Sequence, residues 1–313
     1  MCKYKHYLIN YQRFTQMVLV LLIYLPNFAL LKFLVFLKVI TNKEDLSSSI
    51  NQFKERGLTI GLVPTMGALH NGHLSLIKQS KSKTDITVAS IFVNPTQFTN
   101  QEDLKNYPKP IESDRRKLEE AGCDILFHPS VEEMYGDDED WNYEVGDLDQ
   151  LLEGEFRPGH YKGVTQIVNK LFKAVSPDIA FFGQKDYQQF LVISKMVKDL
   201  ELPLQLIAGD IIREENGLAM SSRNVRLKEE ERLQATTLFQ ALKFIKENYS
   251  ILPLSILKEK AFTYFDHPLL KLEYLKICDV ATLQELKEKE EKAIVLIACY
   301  VGTTRLIDNM MLP

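Results

Sequence analysis

Residues 62–77 read Leu-Val-Pro-Thr-Met-Gly-Ala-Leu-His-Asn-Gly-His-Leu-Ser-Leu-Ile. The apolar run 58–63 (LTIGLV) reads as a buried strand, and Leu74 and Ile77 begin a helical pattern. Between them lies a loop marked by Pro64, Gly67 and Gly72. His70 and His73 therefore sit where a strand hands over to a helix N-terminus. Unpaired backbone N–H groups and the positive end of the helix dipole favour an anion there. Gly72 has no Cβ to keep a phosphate off the backbone, and imidazole can donate to phosphate oxygens. The bland alternative is a tight turn carrying two solvated histidines. A lone His-X-Gly-His favours that alternative, but the strand, the Pro-Thr-Met-Gly run and the following helix tip the balance to a nucleotide site. Zinc is disfavoured, because no matching Cys or His cluster occurs elsewhere.

Outward from this stretch the pattern is regular. A strand at 38–41 leads to Asn42, a candidate N-cap, and Leu46, Ile50 and Phe53 share one helix face before Gly57. Further strands are expected at 86–93, 124–127, 178–182 and 204–208, with helices at 111–120, 164–175 and 190–200. This alternation predicts an α/β fold, a Rossmann-like doubly wound parallel sheet. Ligands of such sheets bind beyond the carboxyl ends of the strands, so the loops 64–72, 94–98 and 183–189 should meet in one crevice. After residue 212 the texture changes. Charged amphipathic helices are expected at 228–246 and 256–264, the latter with Ser255 as a candidate N-cap, and strands at 272–277 and 293–301. The expected division is 1–36, an apolar extension; 37–211, the nucleotide-binding domain; and 212–313, a smaller α/β C-terminal lid domain.

The 313 residues are 45% hydrophobic and 26% charged, ample for a sizeable core. A net charge of −4 gives no general attraction for nucleic acid or anionic membrane, so any phosphate must be held locally. Cys2, Cys123, Cys278 and Cys299 are scattered, which fits a reduced, cytoplasmic protein. The acidic run 136–140 lacks calcium-loop spacing and reads as a solvated loop. At the N-terminus, Lys3, Lys5 and Arg13 precede the apolar run 17–25, which Pro26 interrupts. That run falls short of the roughly 20 residues that span a bilayer. Residues 1–36 read first as a start-site artefact or dispensable tail, second as a weak membrane segment, and last as an export signal.

Two further loops carry chemistry. Phe182-Gly183-Gln184-Lys185-Asp186-Tyr187-Gln188-Gln189 places a mobile point charge and several amides just after a strand. Met220-Ser221-Ser222-Arg223-Asn224 offers two hydroxyls and a guanidinium, a set suited to clamping a triphosphate. Each could equally be a solvated surface turn.

Taken in order, PTMGALHNGH (64–73), IFVNPTQF (91–98), EFRPGHYKGV (155–164), FGQKDYQQ (182–189), MSSRN (220–224) and GTTRLIDN (302–309) resemble the pantothenate synthetase (pantoate–β-alanine ligase) family. That family lies in the His-X-Gly-His nucleotidylyl-transfer superfamily. The likeness runs from about residue 37 to the C-terminus and leaves 1–36 outside. Gln184 stands where many members carry Glu, while Gly183, Lys185 and Asp186 fit.

The resemblance implies an ATP-dependent ligation in two steps. Pantoate attacks the α-phosphorus of ATP, giving pantoyl adenylate and pyrophosphate; β-alanine then displaces AMP to give pantothenate. It assigns ATP to Pro64, Thr65, Met66, Gly67, Ala68, Leu69, His70, Asn71, Gly72 and His73, to Gly183, Gln184, Lys185 and Asp186, and to Ile212, Met220, Ser221, Ser222 and Arg223. His73 and His70, with Lys185 and Arg223, are the implied catalytic groups; Gln97 and Gln189 would bind pantoate, and Gln97 would also face β-alanine. Mg²⁺ is expected to be held mostly by ATP and water, with no protein metal cage. A homodimer is also implied.

Two rivals remain. Another His-X-Gly-His enzyme could transfer AMP to a different acceptor, though the amide-rich loops favour a small hydroxy acid. A non-catalytic nucleotide-binding or membrane-tethered protein would leave His73, Lys185 and Arg223 together without a purpose.

Overall fold

The computed structural model describes residues 37–136 and 140–313. The expectations for residues 1–36, and for most of the acidic run 136–140, lie outside the described residues.

The first two thirds alternate strand and helix as the periodicity predicts. In chain order come β1 (Lys38–Ile40), α1 (Lys43–Glu55), β2 (Ile60–Thr65), α2 (Asn71–Lys83), β3 (Ile86–Ile91), α3 (Gln101–Lys105), α4 (Ile111–Glu120), β4 (Ile125–Phe127), α5 (Val131–Tyr135), α6 (Glu153–Phe156), α7 (His160–Val175), β5 (Ile179–Gly183), α8 (Tyr187–Asp199) and β6 (Gln205–Gly209). Asn42 caps α1, its side chain accepting the Asp45 N–H at 2.8 Å. The six strands form one parallel sheet in the order β1-β4-β3-β2-β5-β6. Successive strand residues feed opposite faces, and both faces are dry. Leu62, Val88 and Ile125 pack with Leu46, Val164 and Ile193 from α1, α7 and α8. Their neighbours Val63, Ala89 and Leu126 pack with Leu76, Ile77 and Leu118 from α2 and α4.

The strand order reverses between β2 and β5, and there the sheet opens. β2 pairs with β3 along its whole length, from Ile60 to Thr65, but with β5 only at Gly61 and Leu62. Pro64 lacks the N–H that a ladder toward β5 would use. A crevice at this switch point follows from the topology.

The remaining elements are α9 (Glu229–Asn248), α10 (Leu254–Phe262), β7 (Leu270–Asp279), β8 (Ala293–Val301) and β9 (Thr304–Met311). The three strands form an antiparallel sheet with β8 in the middle. Leu275, Ile277, Val295 and Ile297 face Leu238, Leu242 and Leu257 of α9 and α10. The opposite face, with Tyr274, Leu296 and Ala298, packs on Leu152 and on Leu191 of α8.

Two expectations need correction, and one strand is additional to those expected. β3 stops at Ile91 rather than 93, because Pro95 opens a 3-10 turn (Pro95–Gln97) that ends the ladder. Ser255 lies inside α10, whose N-cap is Pro253; the fixed φ of proline suits a helix entrance. β9 carries no clear strand signal, because Arg305, Asp308 and Asn309 interrupt its apolar pattern.

Candidate active site

The crevice between β2 and β5 is closed by the segment 210–223 into a cleft of about 200 Å³. A second cavity, about 610 Å³, continues from it and shares Lys185, Asp186, Ser221 and Arg223 as a common wall. Together they give room for a nucleotide and a small acid.

His70 and His73 are built by the start of α2. His70 is the N-cap, and its Nδ1 accepts the Gly72 N–H at 3.2 Å. His73 reaches back, its Nδ1 accepting the His70 N–H at 3.3 Å, and the two rings lie 4.0 Å apart. With both Nδ1 atoms accepting, each neutral ring carries its proton on Nε2 and is a donor there. Burial, reinforced by Lys185, pulls His70 down to about 4. Burial and the neighbouring His70 hold His73 well below the ordinary histidine range. Both are therefore neutral donors at pH 7. Gly72 leaves room for the His70 ring: a Cβ there would stand 2.9 Å from it, so the ring would have to move.

The rest of the 64–73 loop is held from behind. Asp114 on α4, 1% exposed, accepts the Ala68 and Leu69 N–H groups at 2.7 and 2.8 Å, and Lys117 donates to the Leu69 carbonyl at 2.6 Å. Ser222 Oγ donates to the Ala68 carbonyl at 3.0 Å, tying the 220–224 loop to it.

Of the residues anticipated for ATP, Pro64, Thr65, Met66, His70, Gly72 and His73 line the cleft, as do Gly183, Lys185, Asp186, Ile212, Met220, Ser221, Ser222 and Arg223. Gln97 and Gln189 line it too. Gly67, Ala68, Leu69, Asn71 and Gln184 do not. Ala68 and Leu69 are spent on Asp114, and Gln184 offers its carbonyl to Asn309.

Gln97 is fixed on three sides. Its Nε2 lies 3.1 Å from Met66 Sδ, its Oε1 accepts from Asn94 at 3.1 Å, and its carbonyl lies 2.8 Å from His160 Nδ1. Asn94 in turn accepts from Tyr135 at 2.6 Å. Burial and the nearby Arg157 pull His160 down to about 3, so its ring is neutral and donates from Nδ1. Arg223 is engaged: it pairs with Asp103 of α3 at 2.8 Å, and Arg226 takes the other Asp103 oxygen at 2.7 Å. Among the described residues no group of three or more His, Cys, Asp or Glu could hold a metal ion.

A family model, pantoate-beta-alanine ligase, matches residues 38–311. The chain belongs to this family. Relatives of the pantoate–β-alanine ligase family include pantothenate synthetases of Thermoanaerobacter sp. (strain X514), 47% identical over 87% of this chain and 98% of that protein, and of Thermotoga petrophila, 45% identical over 88% and 100%. The solved pantothenate synthetase of Thermus thermophilus superposes with a TM-score of 0.84, at 38% identity, covering 88% of this chain and 100% of that one. The ligase of Francisella tularensis, solved with β,γ-ATP and β-alanine, gives 0.74 at 34% identity over 88% and 97%. The chain is thus a ligase, with the fold that ligases of this family share.

Several residues that shape the site carried no assigned role in the sequence. His160 and Asn309 lie inside two of the six stretches that carried the resemblance, so their position was marked though not their contacts. Asp103 and Asp114 had no such signal; each reads as one more carboxylate on a short polar helix.

Proposed function

We propose that this pantoate–β-alanine ligase works in this cleft, activating pantoate as an adenylate before β-alanine attacks. A carboxylate oxygen of pantoate attacks the α-phosphorus, the bond to the β-phosphate breaks, and pyrophosphate leaves. The β-alanine amine then attacks the acyl carbon, loses a proton, and AMP leaves with the shared oxygen, giving pantothenate. The observation that carries this reading is the meeting of two neutral histidine donors, Lys185 and Arg223 with the amides Gln97 and Gln189 around one cleft.

The first step brings two anions together and builds charge on the phosphoryl oxygens. His73 and His70 would donate to those oxygens from Nε2, while Lys185 and Arg223 offset the charge of the polyphosphate. Gly183, Asp186, Met220, Ser221 and Ser222 would line ribose and phosphates. The Ile212 backbone, whose carbonyl already accepts the Met220 N–H at 3.0 Å, would border adenine. Gln97 and Gln189 suit a hydroxy acid, because amides orient it by directional bonds without a charge that would over-stabilise its carboxylate. Mg²⁺ would enter with ATP, held by phosphates and water; Asp186 and Asp210 on the cleft wall suit its hydration shell.

Residues 37–211 would carry most of the chemistry, and 212–313, which supplies Arg223, would form the smaller lid. Residues 1–36 would be dispensable, which the family match beginning at residue 38 supports. The free thiols of Cys123, Cys278 and Cys299 fit the cytoplasm, and family membership favours a homodimer. Membrane contact is not part of this reading; among the described residues no helix is long and apolar enough to cross a bilayer.

Pantoate labelled with ¹⁸O in its carboxylate tests the mechanism. One labelled oxygen should appear in AMP; label in inorganic phosphate, with ADP formed, would replace the adenylate with an acyl phosphate.

A further inference from the structure

The turn that carries Lys185 is pinned from the second sheet. Asn309 on β9, 1% exposed, donates from Nδ2 to the Gln184 carbonyl at 2.9 Å and to the Lys185 carbonyl at 2.8 Å. Both hydrogens of the amide are used, one on each of two successive carbonyls. Its Oδ1 is buried and has no hydrogen-bond partner among the described residues. The fold thus tolerates an orphan acceptor in order to aim two donors at the Lys185 turn.

Asn309 is itself held. The neighbouring Asp308, 4% exposed, accepts the Asn309 N–H at 2.8 Å and receives both terminal nitrogens of Arg213, at 2.6 and 3.0 Å. Arg213 also donates to the carbonyls of Asn309 (3.3 Å) and Gly217 (3.1 Å), and its guanidinium lies 4.7 Å from the centre of the Phe239 ring. Arg213 follows Ile212 and bridges to Ala219, so it opens the segment that forms the opposite wall of the cleft. Neither Asn309, Asp308 nor Arg213 lines that cleft, yet together they reach both walls.

We propose that Asn309, backed by Asp308 and Arg213, is a positioning residue for adenylation, setting where Lys185 stands relative to the 212–223 wall. The proposal rests on reading the cleft as the ATP site. The Lys185 side chain is only 18% exposed, so its confined stem has little room to make up for a shift of its backbone. A shift of about 1 Å in a reacting group can slow a step by roughly a hundredfold.

The test compares two half-reactions in the full-length protein carrying Asn309→Ala, Asn309→Asp or Lys185→Ala. One is pantoate-dependent pyrophosphate release; the other is attack of β-alanine on added pantoyl adenylate. Asn309→Asp keeps the shape but turns an acceptor toward two carbonyls, so it should slow adenylation more than Asn309→Ala does. Adenylation should fall by roughly ten- to a hundredfold, far more than the second half-reaction. Equal losses in both half-reactions, or wild-type adenylation in Asn309→Asp, would overturn the role. Should Asn309→Asp not fold, the ratio in Asn309→Ala decides by the same criterion. Lys185→Ala separates the two levels. If it loses adenylation selectively and the Asn309 variants do not, the positioning role alone fails. If Lys185→Ala itself keeps adenylation, the ATP-site reading fails and takes the proposal with it.

Discussion

The backbone N–H of His70 donates to Nδ1 of His73 at 3.3 Å, and the Gly72 N–H donates to Nδ1 of His70 at 3.2 Å. Helix capping therefore sets the tautomer of both rings. In the free protein, ¹⁵N NMR should find both histidines neutral at pH 7 with the proton on Nε2. His70 should protonate near pH 4, not near 6.5. Because its folded value lies below the unfolded one, this group stabilises the fold fully above pH 6.5, and that contribution fades as the pH falls toward 4. A titration midpoint near 6.5, or an Nδ1–H tautomer, would contradict this account of the helix start.

Removing the His73 donor should cost about 10²- to 10³-fold in the rate of adenylation, the range for losing one transition-state donor. Gly72→Ala should slow the same step by displacing the His70 ring, although an alanine inside a helix is otherwise favourable. Rapid-quench measurement of pyrophosphate, set beside thermal melting, checks both. A Gly72→Ala protein that melts as wild type and reacts at full rate would show that the His70 ring has no fixed place in the step.

Asp103 accepts Arg223 at 2.8 Å and Arg226 at 2.7 Å, where a phosphate would compete for the same guanidinium. All three side chains are only about a quarter exposed and the bonds are charge-assisted, so freeing Arg223 is worth on the order of 1–2 kcal/mol. Asp103→Asn should accordingly lower the KM for ATP by about fivefold or more, with little change in the KM for pantoate. A raised KM for ATP would mean instead that Asp103 holds Arg223 in its binding position.

Much of this site is legible in the sequence because its signals are local. A strand, a Pro-Thr-Met-Gly loop and a helix start lie within sixteen residues, and the spacing alone places His70 and His73 at a helix N-terminus. The loops 64–72, 94–98 and 183–189 do line one cleft, as strand polarity requires. What stayed hidden acts across long sequence separations. Asp114 meets Ala68 from 46 residues away, and Asn309 meets Lys185 from 124. Asp114 has nothing beside it in the sequence to set it apart from an ordinary surface carboxylate, and the 302–309 stretch marks the position of Asn309 without its contacts. β9 is masked for the same reason: Asp308 and Asn309 break its apolar alternation because they serve contacts outside their own sheet.

Glu153 makes an acid-stability prediction. Burial alone would raise its carboxyl, but the two-pronged contact with Arg305 (2.7 and 2.8 Å), aided by Arg157 and Tyr274, holds it at about 2, against an ordinary 4.5. Its stabilising contribution is complete above pH 4.5 and is lost as the pH falls toward 2. Arg305→Met should destabilise the protein by about 3 kcal/mol at pH 7, the low end for a broken buried pair, since Arg157 and Tyr274 remain. Urea denaturation at pH 7 and pH 4 should show the deficit shrinking as Glu153 becomes able to take up a proton. A deficit independent of pH would assign the loss to packing of the Arg305 stem.

The most direct test of the central claim counts pyrophosphate against enzyme, using protein that begins at residue 37. With ATP and pantoate alone, the account predicts a burst of about one pyrophosphate per site, held as bound pantoyl adenylate. Adding β-alanine should convert the burst to sustained release with AMP and pantothenate in equal amounts, and Lys185→Ala should abolish the burst. A folded protein that binds ATP but releases no pyrophosphate until β-alanine is present would contradict an adenylate formed before the amine attacks.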